Sequence, residues 1–190
     1  MGLPLVTKAE YKAYAGISST NHDAIIELLI PKVSGLVKSI CRRTFVDYVD
    51  EAKVQISNGG FEYMLLHEFP VLAVSSVEQS TDYGQTYTAL VEYEDFALDR
   101  TDDTLRPIGL DAFPKLINGY RVTYTAGYEV LPEELKLAVL DLITYYIRHD
   151  MAIQSNKAPG TNSVQIEYVT TTNLPAHIKR VLDLYAANYA

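Results

Sequence analysis

The chain has 190 residues and a mass of 21.2 kDa, enough for one domain with its own core, since ~150 residues is the usual domain size. Hydrophobic residues make up 48% and charged residues 21%, which excludes a wholly disordered chain and a collagen-like fibre. The formal charge of −8 disfavours tight binding to nucleic acid, and neither a membrane span nor a secretory signal is evident in the sequence.

Two helices are predicted before residue 44. Thr7-Lys8-Ala9-Glu10 has capping-box spacing and Gly16 suits a left-handed stop, so the first helix should span 8–15. Apolar residues then recur by threes and fours and predict a second helix over 21–42. Pro31 lies in that stripe and lacks an amide hydrogen, so we expect a kink near 27–31, with two shorter helices as the alternative.

The stretch 44–128 changes to a period of two and reads as a β-rich insertion. Asn58-Gly59-Gly60 can supply the positive φ angles of a hairpin between the first two strands. The expected strands are 53–57, 61–66, 71–77, 87–93, 96–98 and 120–124.

A third helix should begin at Leu131-Pro132-Glu133-Glu134, run over 133–149 and pack on the second helix. Residues 155–163 read as a loop or linker, and 164–190 as a strand at 164–169 plus a C-terminal amphipathic helix. The expected fold is therefore α+β. It is mainly an α-helical bundle of two long and two short helices, with the β-rich insertion between helices two and three, and 1–154 as the main domain.

Residues with catalytic potential are sparse. His22-Asp23 and His149-Asp150 could belong to a metal-dependent hydrolase, but each pair also suits the helix end at which it lies. Cys41, the single cysteine, precedes two arginines that could lower its pKa, yet no histidine is close in sequence. Nucleophile-elbow, phosphate-loop and dinucleotide motifs are missing, so we expect no catalytic, cofactor-binding or metal-binding residues.

Two other features suit contacts with macromolecules. Residues 81–103 carry seven carboxylates against one arginine, and a solvated repulsive surface is favoured there over a cation site. Six of these carboxylates lie between residues 92 and 103: Glu92, Glu94, Asp95, Asp99, Asp102 and Asp103. The chain also has 15 tyrosines and no tryptophan; most tyrosines should fill the core, while exposed ones suit protein interfaces.

The order of these elements resembles the head-tail connector (adaptor) proteins of long-tailed double-stranded DNA bacteriophages. The likeness covers roughly residues 3–150 and rests on five blocks in the right order. The blocks are Val6-Thr7-Lys8-Ala9-Glu10, Cys41-Arg42-Arg43-Thr44-Phe45, 69–77, 120–128 and 130–136. The sequence departs from the family pattern at Pro31, in an enlarged 79–119 region and in a longer tail after Gly160.

The resemblance implies a structural protein without enzymatic activity or cofactor, assembled in the host cytoplasm and located in the virion neck. It would form a homo-oligomeric ring, a dodecamer, below the portal protein. That ring would extend the DNA channel, without sequence-specific binding, and receive a stopper or tail-completion protein. Another neck component, such as a tail-completion or head-closure protein, is the alternative, followed by the metal-dependent hydrolase.

Together with this resemblance, the residues suggest roles for three surfaces. The C-terminal helix would dock on the portal through Pro175, Ile178, Val181, Leu182, Tyr185 and Tyr189. The six carboxylates from Glu92 to Asp103 would line or approach the DNA path. Ring or stopper contacts would come from Tyr83, Tyr87, Tyr93 and Tyr128.

Overall fold

The computed structural model describes residues 2–155 and 174–187. The chain divides into two compact units, a helical unit of Met1–Arg42 with Leu131–Asn188 and a β unit of Arg43–Val130. The helices are α1 (Lys8–Ala15), α2 (Asp23–Cys41), α3 (Glu133–Ser155) and α4 (Ala176–Tyr185). The strands are β1 (Lys53–Ser57), β2 (Met64–Leu65), β3 (Val71–Gln79), β4 (Thr88–Leu90), β5 (Phe96–Asp99), β6 (Thr104–Pro107) and β7 (Tyr120–Ala126). The strand expected at 164–169 lies outside the described residues.

The expectation of a mainly helical bundle is wrong. The described residues form four helices and seven strands, and the strands build two antiparallel sheets in a mixed, β-rich α+β fold. The physical reason is that the insertion buries a hydrophobic core of its own and so does not depend on the helices for burial. That core includes Met64, Leu66, Phe96, Leu105, Phe113, Tyr120, Val122 and Tyr124.

In the helical unit, local sequence signals and structure agree closely. Thr7 accepts a hydrogen bond from the Glu10 amide while Glu10 reaches back to Thr7, and Gly16 ends α1 at φ 66°. α2 runs unbroken through the exposed Pro31, which rules out two shorter helices. α3 extends past the expected end at residue 149, and its buried face packs against α2.

The β unit does not contain the expected hairpin over 53–66. β1 pairs with β7 in a four-stranded sheet of order β1-β7-β3-β4, while β2 pairs with β6 in a three-stranded sheet of order β2-β6-β5. The glycines serve a close approach instead. A Cβ on Gly59 would lie 2.4 Å from the carbonyl oxygen of Pro114 and 2.5 Å from the ring of Tyr120, so only glycine fits there.

The faces of β1 are inverted relative to a simple polar-out pattern. Gln55 is buried, and its side-chain oxygen accepts hydrogen bonds from the amide of His67 (2.9 Å) and the hydroxyl of Tyr124 (3.0 Å). Its side-chain nitrogen donates to the carbonyl of Leu65 (2.9 Å). Because Gln55 points inward, Val54 and Ile56 on the opposite face of the strand lie exposed.

A buried arginine joins the two ends of the β unit. The guanidinium of Arg43 lies 3.6 Å from the ring centroid of Phe69, 4.8 Å from that of Phe45 and 5.4 Å from that of Tyr128. It also donates a hydrogen bond to the carbonyl of Phe69. The amide of Tyr128 donates to the carbonyl of Phe45 (2.7 Å), so the segments that enter and leave the unit are adjacent.

Candidate assembly interfaces

A tight loop between β4 and β5 displays Tyr93; residues 91–95 are called the tip loop below. The amide of Val91 donates to the Asp95 carboxylate (2.8 Å), the amide of Asp95 donates to the carbonyl of Val91 (2.9 Å), and the amide of Tyr93 donates to the carbonyl of Phe96 (2.7 Å). Tyr93 is 77% exposed at φ 67°, a conformation that a bulky residue rarely adopts. The loop thus holds this aromatic ring in solvent in one fixed backbone geometry.

The surroundings of Tyr93 are apolar at the centre and acidic at the rim. Val91 and Ile108 are exposed, and the amide of Ile108 donates to the carbonyl of Asp95 (2.9 Å), which holds it against the loop. Glu92 and Glu94 are exposed on either side of the tyrosine in sequence. An exposed aromatic anchor with a charged rim is the usual composition of a protein contact site.

A second loop presents Tyr83 in a similar way. Asp82 accepts hydrogen bonds from the hydroxyl of Ser80 (2.6 Å) and from the amide and hydroxyl of Thr86 (2.8 and 2.6 Å). These bonds, the Ser80 bond foremost, hold the pKa of the Asp82 carboxyl well below its usual range. Tyr83 is 69% exposed at φ 63°, so this loop also fixes a tyrosine in solvent.

The other two tyrosines with assigned roles are partly used inside the β unit. The guanidinium of Arg121 lies 4.2 Å from the Tyr87 ring centroid, and the Tyr87 hydroxyl donates to the carbonyl of Asn118 (3.0 Å). Tyr128 stacks in the Arg43 cluster. Both are half-buried, so each offers less surface to a partner than Tyr83 or Tyr93.

The acidic residues fall into two groups. The first is on the tip loop; the second is at the turn between β5 and β6, where Arg106 lies 2.9 Å from Asp99 and 3.5 Å from Asp102. A hydrogen bond from the Thr101 amide and then the Arg106 contact lower the pKa of Asp99. The turn is therefore partly neutralised by one arginine, and Asp103 is half-exposed beside it.

Two residues of the apolar stripe of α4 are buried within the helical unit. Ile178 and Leu182 are almost inaccessible, and the Cys41 thiol donates to the carbonyl of Leu182 (3.5 Å). Pro175, Val181 and Tyr185 are half-exposed, and Tyr189 lies outside the described residues. The surface that α4 offers to a partner is therefore its outer side.

Leu184 dominates that outer side and was missed by reasoning from the sequence. It is 77% exposed. A signal was present, because Leu184 does not follow the spacing by threes and fours of the buried residues of this helix.

A groove runs between the second half of α3 and the start of α4, and it was also missed. It has a volume of about 290 Å³ and is lined by Asp141, Thr144, Tyr145, Arg148, Pro175, His177 and Ile178. The Tyr14 hydroxyl donates to the Asp141 carboxylate (2.5 Å), which raises the pKa of Tyr14, and the His177 imidazole lies 3.8 Å from that carboxylate. The sequence carries no signal for the groove, since it depends on where α4 packs.

Of the four residues of the hydrolase alternative, the structure describes the side chains of His22 and Asp23. Asp23 pairs with Lys12 (2.7 Å) and Lys8 (3.2 Å), and its pKa is lowered chiefly by the Lys12 hydrogen bond. The residue before α2 is His22, which makes no side-chain cap. Within residues 2–155 and 174–187, no group of three or more potential ligands could hold a metal ion. The side chains of His149 and Asp150 lie outside that description.

Over the same described residues, none of the helices combines the length and apolar composition that a membrane crossing requires.

Comparison with known proteins defines the class. A family model described as head completion protein matches residues 4–187, and the chain belongs to that family. No curated protein matches the chain. The fold is similar to a chain in the neck of an empty gene transfer agent particle, computed with C6 symmetry (TM-score 0.60, 14% identity, 98% of this chain and 91% of that chain).

A chain in the neck of the native gene transfer agent particle, computed with C12 symmetry, is similar as well (TM-score 0.58, 15% identity, 100% of this chain and 97% of that chain). A chain of the native virion of such a particle gives a TM-score of 0.60 at 14% identity, over 98% of this chain and 91% of that chain. The family membership confirms the resemblance to head-tail connectors at the level of class: the chain is a structural protein of the head completion family.

Proposed function

We propose that this chain assembles as a twelve-membered ring below the portal, extends the DNA channel and receives the next neck protein. The observation that carries the proposal is the full-length likeness to a chain in a neck computed with C12 symmetry. Head completion as a final closing step is the second candidate, favoured by the family description itself.

A ring needs two different contact faces on each subunit, because a heterologous contact closes by rotation. The β unit and the helical unit each carry exposed apolar side chains on ordered elements. They include Val54, Ile56, Tyr83 and Tyr93 in the β unit and Leu137 and Leu184 in the helical unit. We assign Tyr83 and the half-exposed Tyr87 and Tyr128 to the stopper side and Tyr93 to the ring contact.

The portal contact is proposed for the outer side of α4. Pro175, Val181 and Tyr185 surround the exposed Leu184, whereas Ile178 and Leu182 support the helix from within. Leu184→Asp should abolish portal binding without unfolding the chain, and Leu137→Asp, at an exposed leucine of α3, is the matched control. Full portal affinity of Leu184→Asp, in a pull-down with purified portal, would reject this contact.

We propose that the acidic turn of Asp99, Asp102 and Asp103 lies beside the DNA path. Those of Glu92, Glu94 and Asp95 that make no contact between subunits would lie there too. Like charge beside the phosphate backbone keeps DNA from adhering as it passes. Asp102→Asn with Asp103→Asn should make assembled rings retain duplex DNA at low salt. Equal retention by wild-type and variant rings would contradict this role.

Electron microscopy of the purified chain mixed with its portal is the deciding experiment. We expect a ring of twelve copies on one face of the portal. A chain that joins only after a separate connector ring has formed would instead support head completion, and a chain that never joins the portal or that ring would reject both candidates.

A further inference from the structure

Three features of the surface suit further contacts: the exposed face of β1, the tip loop and the groove between α3 and α4. Nothing in the structure shows what covers Val54 and Ile56 on β1, so that face carries no proposal. The tip loop carries an exposed aromatic ring between two carboxylates, and the groove combines apolar walls with the guanidinium of Arg148.

The geometry points to a contact in which Tyr93 of one copy inserts into the α3–α4 groove of the next copy in the ring. This inference rests on the proposed ring and adds the residues that close it.

Size is the first argument. The groove of about 290 Å³ is smaller than most pockets for drug-sized molecules, which run from about 300 to 1,000 Å³. It has room for one aromatic side chain. Pro175, Ile178 and Tyr145 supply apolar walls, and the Asp141 carboxylate supplies an acceptor for a phenol hydroxyl.

Pre-organisation is the second argument. The hydrogen bonds of the tip loop hold Tyr93 at φ 67°, with its ring in solvent, before any partner arrives. A rigid anchor loses little conformational entropy on docking, so more of the contact energy appears as affinity.

Charge is the third argument. Glu92 and Glu94 flank the tyrosine, and Arg148 and His177 line the groove. Among the described lining residues, the Asp141 carboxylate already accepts from Tyr14 and lies 3.8 Å from the His177 imidazole, so Arg148 is the group of opposite charge that the acidic tip meets.

The contact also divides the acidic surface between two tasks. The tip loop goes to the neighbouring subunit, and the turn of Asp99, Asp102 and Asp103 stays available for the DNA path.

Cysteine cross-linking on portal-templated rings tests the contact. Tyr93→Cys chain is mixed with His177→Cys chain, oxidised and separated under denaturing conditions; the native Cys41 is buried and serves as the same background in every sample. We expect a cross-linked dimer in high yield, and less than a tenth of that yield from the matched control in which Tyr83→Cys replaces Tyr93→Cys.

Substitutions provide the second measurement. Tyr93→Ala and Arg148→Glu should each lower ring yield on the portal at least tenfold. Phe61→Ala, at another exposed aromatic residue of the β unit, should leave the yield unchanged, and Glu94→Lys should restore yield to Arg148→Glu. Rings of normal yield from Tyr93→Ala and no Tyr93–His177 cross-link would overturn the contact while leaving the ring intact. An intramolecular cross-link in the double variant would overturn it too, and a wild-type chain that forms no ring would overturn the proposed function together with this contact.

Discussion

At the scale of single residues, Asp82 shows how a half-exposed side chain can organise a loop. Its carboxylate accepts from Ser80 and Thr86 and orders the β3–β4 connection that displays Tyr83. Hydrogen bonds to a carboxylate favour its charged form, which is why its pKa is depressed.

The depressed pKa gives the loop a defined pH dependence. A carboxyl whose folded pKa is lowered contributes stability that is fully present above the unfolded value of about 3.9 and is lost as the pH falls toward the folded pKa. We therefore expect Asp82→Asn to lower the urea midpoint at pH 7, and the difference from wild type to shrink below about pH 4. Circular dichroism at pH 7, 4 and 2.5 measures it, and a difference that stays constant or grows with acid would contradict the account.

Gln55 shows a limit of prediction from sequence, namely which face of a strand is buried. The alternation in Lys53–Ser57 predicted a strand of these bounds. It could not tell which face points inward, because a period of two is the same in either direction. The buried bonds from Gln55 to Leu65, His67 and Tyr124 decide it, and they join residues that only the folded chain brings together.

At the scale of elements, the connection after β1 requires glycine at position 59. Gly59 has φ 65° and a Cβ there would collide with Pro114 and Tyr120, whereas Gly109 has φ 74° and open space. Gly109→Ala should lower the free energy of unfolding by about 1–2 kcal/mol, because alanine is strained in the left-handed backbone conformation. Gly59→Ala should lower it by about 1–3 kcal/mol more, because the added methyl group overpacks the site.

Urea unfolding of both glycine variants checks the comparison. Equal losses would mean that the neighbours of Gly59 give way without cost.

α4 offers a similar matched pair. Leu182 is fully buried and Leu184 is 77% exposed, two residues apart on one short helix. Leu182→Ala should lower the free energy of unfolding by about 2–5 kcal/mol, because it leaves a cavity in the helical unit.

Leu184→Ala should change the free energy of unfolding by no more than about 0.5 kcal/mol, as expected for a surface site. Equal and small effects in the two variants would indicate that α4 does not belong to the stable core.

The helices and strands also show which features local sequence patterns can predict. The capping box of α1 and the Pro-Glu-Glu start of α3 are local, and both helices begin where the sequence predicts. The partners of β1 and β2 are distant in sequence, so turn residues at Asn58-Gly59-Gly60 suggested a hairpin that does not form. β6 was missed because its four residues include Arg106 and Pro107, which weaken a strand signal.

At the scale of the whole molecule, the order of sequence blocks indicated the class correctly, and the family match confirms it. The weight given to the helices was wrong, because block order says nothing about whether an insertion has its own core. The groove and the exposure of Leu184 could not be predicted for a related reason. Both depend on how α3 and α4 pack, and no single segment of the sequence determines that packing.

A structural role predicts indifference to metal ions. Since the described residues hold no cluster of three or more metal ligands, treatment with a chelator should leave thermal stability and ring yield unchanged. Elemental analysis of the untreated protein is the companion measurement. Stoichiometric bound metal that is lost together with ring yield would contradict the prediction and revive the hydrolase alternative.

The hydrogen bond between Tyr128 and Phe45 and the Arg43 cluster bring the two ends of the β unit together. A segment whose ends meet can be exchanged as a cassette, since its host needs only one point of insertion. A single exchange can thus replace residues 43–130 as one segment, while the recipient helices keep their own register.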